Sequence, residues 1–275
     1  MTVTLSRLNR TAAACPEAKV VDFLPGARRL ITVASGKGGV GKTWFAATLS
    51  QCLARRGRKV LLFDGDLGLA NVDIQLGLLP QHDVSAVLSG RLTLRDVITP
   101  YGADGLERGF DVIAGRSGSG ALARWQSSAV YRLRDDLFQI ASQYDHVVLD
   151  LAAGVDTAVT MLSDHGGRIY VVVTPDPTSI TDAYAFIKLM HQRRADGNFN
   201  IVINMAKDRA EASRTYEAIT RATEAFLKIT PRMAGFIRRD KAVTMAIRRQ
   251  TPLLAYQSGS PAAVDVAAIA DKLLT

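Results

Sequence analysis

From Leu30 onward the chain alternates short apolar runs with longer stretches in which apolar residues return every three or four positions. The short runs predict strands over Leu30–Ala34, Lys59–Phe63, Asp111–Ala114, His146–Leu151, Ile169–Thr174 and Phe199–Asn204. The longer stretches predict helices over Lys42–Arg56, Ala129–Gln143, Ser179–Arg194, Glu211–Phe226, Lys241–Arg249 and Pro261–Leu274. Strands rich in Val, Ile and Leu without polar alternation must be covered on both faces. The expected fold is therefore α/β, a doubly wound, mostly parallel sheet with helices on both faces, in one domain over 29–275. In such sheets a ligand lies beyond the C-terminal ends of the strands. Residues 1–28 lack periodicity, are interrupted by Pro16 and Pro25, and are expected to form a loosely ordered arm.

Composition narrows the class. With 48% hydrophobic and 22% charged residues the chain has ordinary globular proportions, and no apolar run approaches the ~18 residues needed to span a bilayer. Arg7 and Arg10 interrupt any signal-peptide core, and Cys15 and Cys52 form no CxxC pair. A reduced, cytoplasmic protein is expected, reaching the inner membrane or a cell pole only through a partner. The four histidines have no metal-ligand spacing, so the only metal expected is magnesium brought by a nucleotide. The net charge of +8 is concentrated: Lys228 to Gln250 holds seven basic residues against one acid, Asp240. That segment reads either as a solvated helix face or, less favoured, as a surface for the phosphate backbone of nonspecific DNA. Arg55, Arg56, Arg58 and Lys59 instead complement a helix C-terminus, with Gly57 suited to the left-handed C′ position.

The candidate chemistry clusters after the strands. Ser35-Gly36-Lys37-Gly38-Gly39-Val40-Gly41-Lys42-Thr43 fits the phosphate-loop template, with Gly36, Gly41, Lys42 and Thr43 at its fixed positions. Its glycines let backbone N–H groups turn toward phosphate oxygens, and the following helix presents its positive end to the same anion. Lys42 is expected on the β- and γ-phosphates, Thr43 on magnesium, and Trp44 follows in the nucleotide contact set. The second strand ends in Asp64-Gly65-Asp66, acids suited beside a phosphate loop to magnesium and water handling: Asp64 in magnesium's outer shell, and Asp66 either toward the attacking water or as a turn or helix N-cap aspartate. His146-Val147-Val148-Leu149-Asp150 has the apolar-run-plus-Asp form that holds magnesium through water. The backbone N–H near Gly154 is expected to sense the γ-phosphate. Asn204, ending the strand Ile201–Asn204, can donate and accept at once, which suits an adenine edge as well as a local turn.

The K-G-G-x-G-K-[ST] form, with its extra Lys37, resembles the deviant Walker A motif of the MinD/ParA superfamily. There the extra lysine reaches across a dimer interface to the partner's nucleotide. The stretch Phe63–Gly77, together with Asp176–Lys188 and Asn204-Met205-Ala206, looks like the flagellar-number regulator branch known as FlhG, FleN or YlxH. The resemblance covers about Leu30 to Ala270. It implies binding of ATP or ADP with Mg2+, slow ATP hydrolysis with Lys37, Lys42 and Asp66 as the acting residues, and an ATP-dependent homodimer. It also implies flagellar partners: an FlhF-type GTPase, a FleQ-type transcription regulator or flagellar switch proteins. A ParA-like partition ATPase on DNA and a MinD-like division-site ATPase stay open as alternatives. Four departures stand out. Leu151 replaces a Ser or Thr, Arg238 replaces a proline near the base pocket, the arm lacks the D-Q-A-x-x-L-R motif, and no amphipathic membrane helix follows Leu274. Membrane binding is therefore expected to be weak or absent. Absent cysteines exclude nitrogenase iron protein and iron–sulfur carriers, and the lack of a tyrosine-rich tail excludes bacterial tyrosine kinases.

Overall fold

The central apolar runs become strands because each must bury both faces. In the computed structural model, which describes residues 26–102, 109–115 and 126–275, they lie in one eight-stranded sheet. Its strands are β1 (Leu30–Ser35), β2 (Val60–Gly65), β3 (Ile98–Tyr101), β4 (Phe110–Ile113), β5 (His146–Ala153), β6 (Arg168–Val173), β7 (Asn198–Ala206) and β8 (Arg232–Arg238). The spatial order is β3-β4-β2-β5-β1-β6-β7-β8, parallel throughout except for β3 against β4. The chain moves to one side of β1 for β2 to β5 and to the other for β6 to β8, so the strand order reverses beside β1. That is where a doubly wound sheet opens a crevice. The first 25 residues of the expected arm, and Cys15 with them, lie outside the described residues.

Helices cover both faces. One is packed by α1 (Lys42–Arg55), α2 (Val72–Leu76), α8 (Lys241–Arg248), α9 (Leu253–Gln257) and α10 (Pro261–Leu274). The other carries α3 (Val84–Leu88), α4 (Ser127–Ala141), α5 (Thr157–Leu162), α6 (Pro177–Arg193) and α7 (Arg209–Leu227). α1 is enclosed from Trp44 to Ala54, and its end is closed as expected, with Gly57 at φ +76°. α10 buries Val266, Ile269 and Leu273 but leaves Val264 half exposed, since Val264 falls outside the i, i+3, i+4 stripe. No helix among the described residues is long and apolar enough to cross a membrane.

The basic segment is not a single face. Lys228 caps α7, Arg232 begins β8 and Arg238 ends it, six residues and about 20 Å of extended chain away. Only Lys241, Arg248 and Arg249 belong to α8 or its end, and Arg249 lies over the Tyr256 ring. β8 therefore separates Lys228 and Arg232 from the five basic residues Arg238 to Arg249, only three of which lie on α8 or its end.

One buried polar contact carries a measurable consequence. Nδ1 of His165 accepts the Gly167 N–H at 3.0 Å, so the ring proton sits on Nε2, 2.7 Å from Thr32 Oγ1. Burial, and then the charge of Arg194, push the imidazole pKa down to about 3. The neutral ring is therefore the folded form, and its contribution is complete above an unfolded value near 6.5. As pH falls from there toward 3, protonation favours the unfolded chain by up to ~1.4 kcal/mol per pH unit. Urea unfolding between pH 7 and 4.5 should show His165→Gln losing stability with acid less steeply than the wild type. Equal slopes would disprove the assignment.

Candidate nucleotide site

The Ser35–Thr43 loop joins the C-terminal end of β1 to α1 at the strand-order reversal. Two of its glycines are required by close approach rather than by phosphate alone. A Cβ on Gly36 would lie 2.1 Å from the Asp182 carbonyl oxygen of α6. Gly41, at φ +88°, would place one 2.5 Å from Asn204 Nδ2. Gly41 caps α1 with no side-chain acceptor, so the first N–H groups of that helix stay available to an anion.

Beneath the loop the register Asp64↔Asp150 sets two carboxylates side by side in the C-terminal halves of β2 and β5. Both are buried. Burial, and for Asp64 the neighbouring Asp150 charge, push both pKa values above the ordinary carboxylate range. Lys42 and the Thr43 hydroxyl act against that rise at Asp150. Oδ1 of Asp150 has no hydrogen-bond partner among the described residues. A buried, unpartnered carboxylate oxygen beside a hydroxyl is the donor set a hard divalent cation takes, so Thr43 and Asp150 fit magnesium. Asp64 also has main-chain partners. Its Oδ2 accepts the N–H groups of Asn71 and Val72, each at 3.0 Å, and its Oδ1 that of Asp66 at 3.2 Å. It caps α2 from a distance and so fixes the segment after β2.

Lys42 is largely buried and donates to Ser35 Oγ at 3.0 Å. Burial lowers its pKa, while the Asp150 and Asp66 charges hold it up. Asp66 is partly exposed. Its Oδ1 accepts the N–H groups of Gly68 and Leu69 at 3.2 and 2.9 Å, a turn-forming arrangement. The Gly154 N–H donates to Ser35 O at 2.9 Å, so it reaches a phosphate only if that bond opens. Lys37 turns away from the loop. Its Nζ meets Asp176 Oδ2 at 2.7 Å and Thr178 Oγ1 at 2.6 Å, both at the start of α6. Asp176 also accepts the Thr178 N–H and so caps that helix.

Two cavities flank the loop. One, of about 570 Å³, is bounded by Trp44, Asn204, Met205, Arg238, Asp240 and Val243. The other, about 300 Å³, holds Lys37, Asp176, Glu211 and Arg239. Met205, at φ +59°, borders both. Trp44 is buried, and its indole N–H is unpartnered among the described residues. Asn204 braces the loop: Nδ2 donates to Val40 O at 2.7 Å and Oδ1 accepts the Met205 N–H at 2.9 Å. One N–H of the amide remains for another acceptor. Arg238, which stands where the resemblance has a proline, is drawn onto Asp265 of α10. Asp176, Thr178 and Asp265 were not anticipated. The Asp-Pro pair at 176–177, a cap followed by a proline at N1, was the one available signal for the first two.

The chain resembles known nucleotide-binding proteins over most of its length. Residues 31–253 match the family described as the CobQ/CobB/MinD/ParA nucleotide binding domain. The antiactivator FleN of Pseudomonas aeruginosa is 34% identical over 245 residues, which cover 89% of this chain and 86% of FleN. The flagellum site-determining protein YlxH of Helicobacter pylori is 33% identical over 194 residues, 70% of this chain and 64% of YlxH. Among solved structures, the septum site-determining protein MinD of Pyrococcus horikoshii, complexed with Mg-ADP, superposes with a TM-score of 0.75 at 21% identity. The match covers 90% of this chain and 96% of that one, a likeness of fold.

Proposed function

We propose that this chain, which belongs to the CobQ/CobB/MinD/ParA nucleotide-binding family, is an ATP-switched homodimer that regulates flagellar number or placement. The similarity to FleN along nearly the whole chain carries the flagellar part of this reading. The two lysines of the loop carry the switch, one buried inside the site and one at its rim.

In this mechanism the free N–H groups at the start of α1 and the Lys42 ammonium bind the phosphates. Thr43 and Asp150 hold magnesium, which when bound neutralises charge on the β- and γ-phosphates. Asp66, held in its turn through Oδ1, offers Oδ2 to orient the attacking water. The larger cavity takes the nucleoside, with Trp44 in its wall and the remaining Asn204 N–H near the base. Lys37 leaves Asp176 to neutralise phosphate charge in the partner's site. Hydrolysis is slow because the output is the assembled or separated state, not the product. The partners proposed are flagellar regulators: an FlhF-type GTPase, a FleQ-type transcription regulator or flagellar switch proteins.

The test is genetic. In a flagellated host, deleting the gene should change the number or position of flagella while chromosome and plasmid inheritance stay normal. Unchanged flagellation with disturbed inheritance would replace this reading by the partition one.

A further inference from the structure

We infer that Asp265 of α10 is a positioning residue for the nucleoside wall of the site, acting through Arg238. The inference rests on the nucleotide reading above. Asp265 Oδ2 accepts both the backbone N–H and the Nε–H of Arg238, each at 2.9 Å, and Oδ1 accepts from Nη2 at 2.8 Å. The carboxylate is 12% exposed. Because one of these donors is main chain, Asp265 fixes the path of the backbone as well as a side chain. The next two residues are fixed to other elements. The Arg239 N–H donates to Ala206 O at the end of β7, at 2.9 Å. The Asp240 carboxylate accepts the N–H of Ala242 at 2.8 Å and of Ala262 at 3.1 Å, joining the first turns of α8 and α10. Residues 238–240 are one side of the 570 Å³ cavity, and the phosphate loop is the other.

The same helix also holds the phosphate side. Arg56, at the end of α1, pairs with Asp271 at 2.6 Å and donates to Ala267 O at 3.1 Å. α10 therefore ties the nucleoside wall, through Asp265, to the helix whose first residues are Lys42 and Thr43. With that tie cut, the wall keeps its composition but loses its distance from the loop. Contacts to the nucleoside weaken while contacts to phosphate stay.

Calorimetric titration with two probes separates these effects: Mg-ADP, which carries a nucleoside, and magnesium tripolyphosphate, which does not. Asp265→Ala should weaken ADP roughly 5- to 30-fold, the range expected for losing such a contact set, and leave tripolyphosphate within about two-fold. KM for ATP should rise with kcat nearly unchanged, and Asp265→Glu should restore part of the loss. Arg238→Ala, which keeps the backbone N–H to Asp265, should lose less than Asp265→Ala, and the double variant should be no weaker than Asp265→Ala alone. If Asp265→Ala does not fold, Asp265→Asn, which keeps one acceptor, should show the same asymmetry at smaller size. Equal losses for both probes, or no loss, would overturn the inference. Wild-type protein that binds neither probe would instead overturn the nucleotide reading on which it rests.

Discussion

Lys42→Ala is expected to abolish measurable binding of ATP and ADP, whereas Lys37→Ala should keep both nucleotides and lose the ATP-dependent dimer. The two lysines are five residues apart and sit in opposite environments. Lys42 is held inside the site against Ser35, where burial lowers its pKa and the Asp150 and Asp66 charges oppose that fall. Hydrogen bonds to charged groups contribute about 1.5–3 kcal/mol each. Losing two such contacts to phosphate, with Asp150 left buried and less compensated, corresponds to at least a 100-fold loss. Lys37 lies at the rim, paired with an Asp176 side chain that is 44% exposed. Exposed pairs of this kind contribute about 0–1 kcal/mol, so little opposes swinging Lys37 toward a triphosphate on a second copy. Without that cation, a face-to-face dimer would bury phosphate charge uncompensated. Asp66→Ala completes the set, since it should bind ATP, fail to orient water and accumulate as a dimer. Light scattering after size exclusion, with ADP and with ATP, reads all three. A monomeric Asp66→Ala at saturating Mg-ATP would contradict the cycle.

Gly36→Ala should be the most destabilising single change in the loop, even without nucleotide. Its Cβ would meet the Asp182 carbonyl oxygen at 2.1 Å and the carbonyl carbon at 2.2 Å, so backbone faces backbone and no rotamer relieves the clash. Either the loop or α6 must move by more than 1 Å, with a cost of about 3 kcal/mol, the upper end of the usual range for overpacking. For a chain of this size that corresponds to roughly 6–12 °C in Tm. Gly39→Ala is the control. Its φ of +76° strains an alanine by about 1–2 kcal/mol, but nothing lies within 4 Å of the new Cβ. Melting of the nucleotide-free variants should place Gly36→Ala well below Gly39→Ala. Equal Tm values would mean that α6 yields freely at Asp182.

The six strands predicted from sequence all formed, because burial on both faces leaves a continuous apolar run that nothing else in the chain imitates. The two edge strands were not legible. Arg232–Arg238 reads as part of a basic tract because one side of it has no neighbouring strand, and Ile98–Tyr101 contains Pro100. Helices of five or six residues, α2, α3, α5 and α9, are too short to show a 3.6-residue period. At the site, contiguous motifs were readable: the loop, the strand ending at Asp150 and the acids after β2. Partnerships across the fold were not. Lys37 meets Asp176 from 139 residues away, and Arg238 meets Asp265 across 27, and no spacing rule links either pair. Asp64 shows the same limit, since its role at the start of α2 exists only once Asn71 and Val72 have folded back onto it.

The two sheet edges also bear on when this molecule can associate at all. β3 offers only four residues, one of them a proline without an N–H. β8 pairs irregularly with β7, has arginines at both ends, and has its Ala234 carbonyl already taken by Lys272. Strand addition at either edge would join copies whether or not nucleotide were present. With strand addition disfavoured at both edges, the proposed ATP-dependent dimer must form through other surfaces.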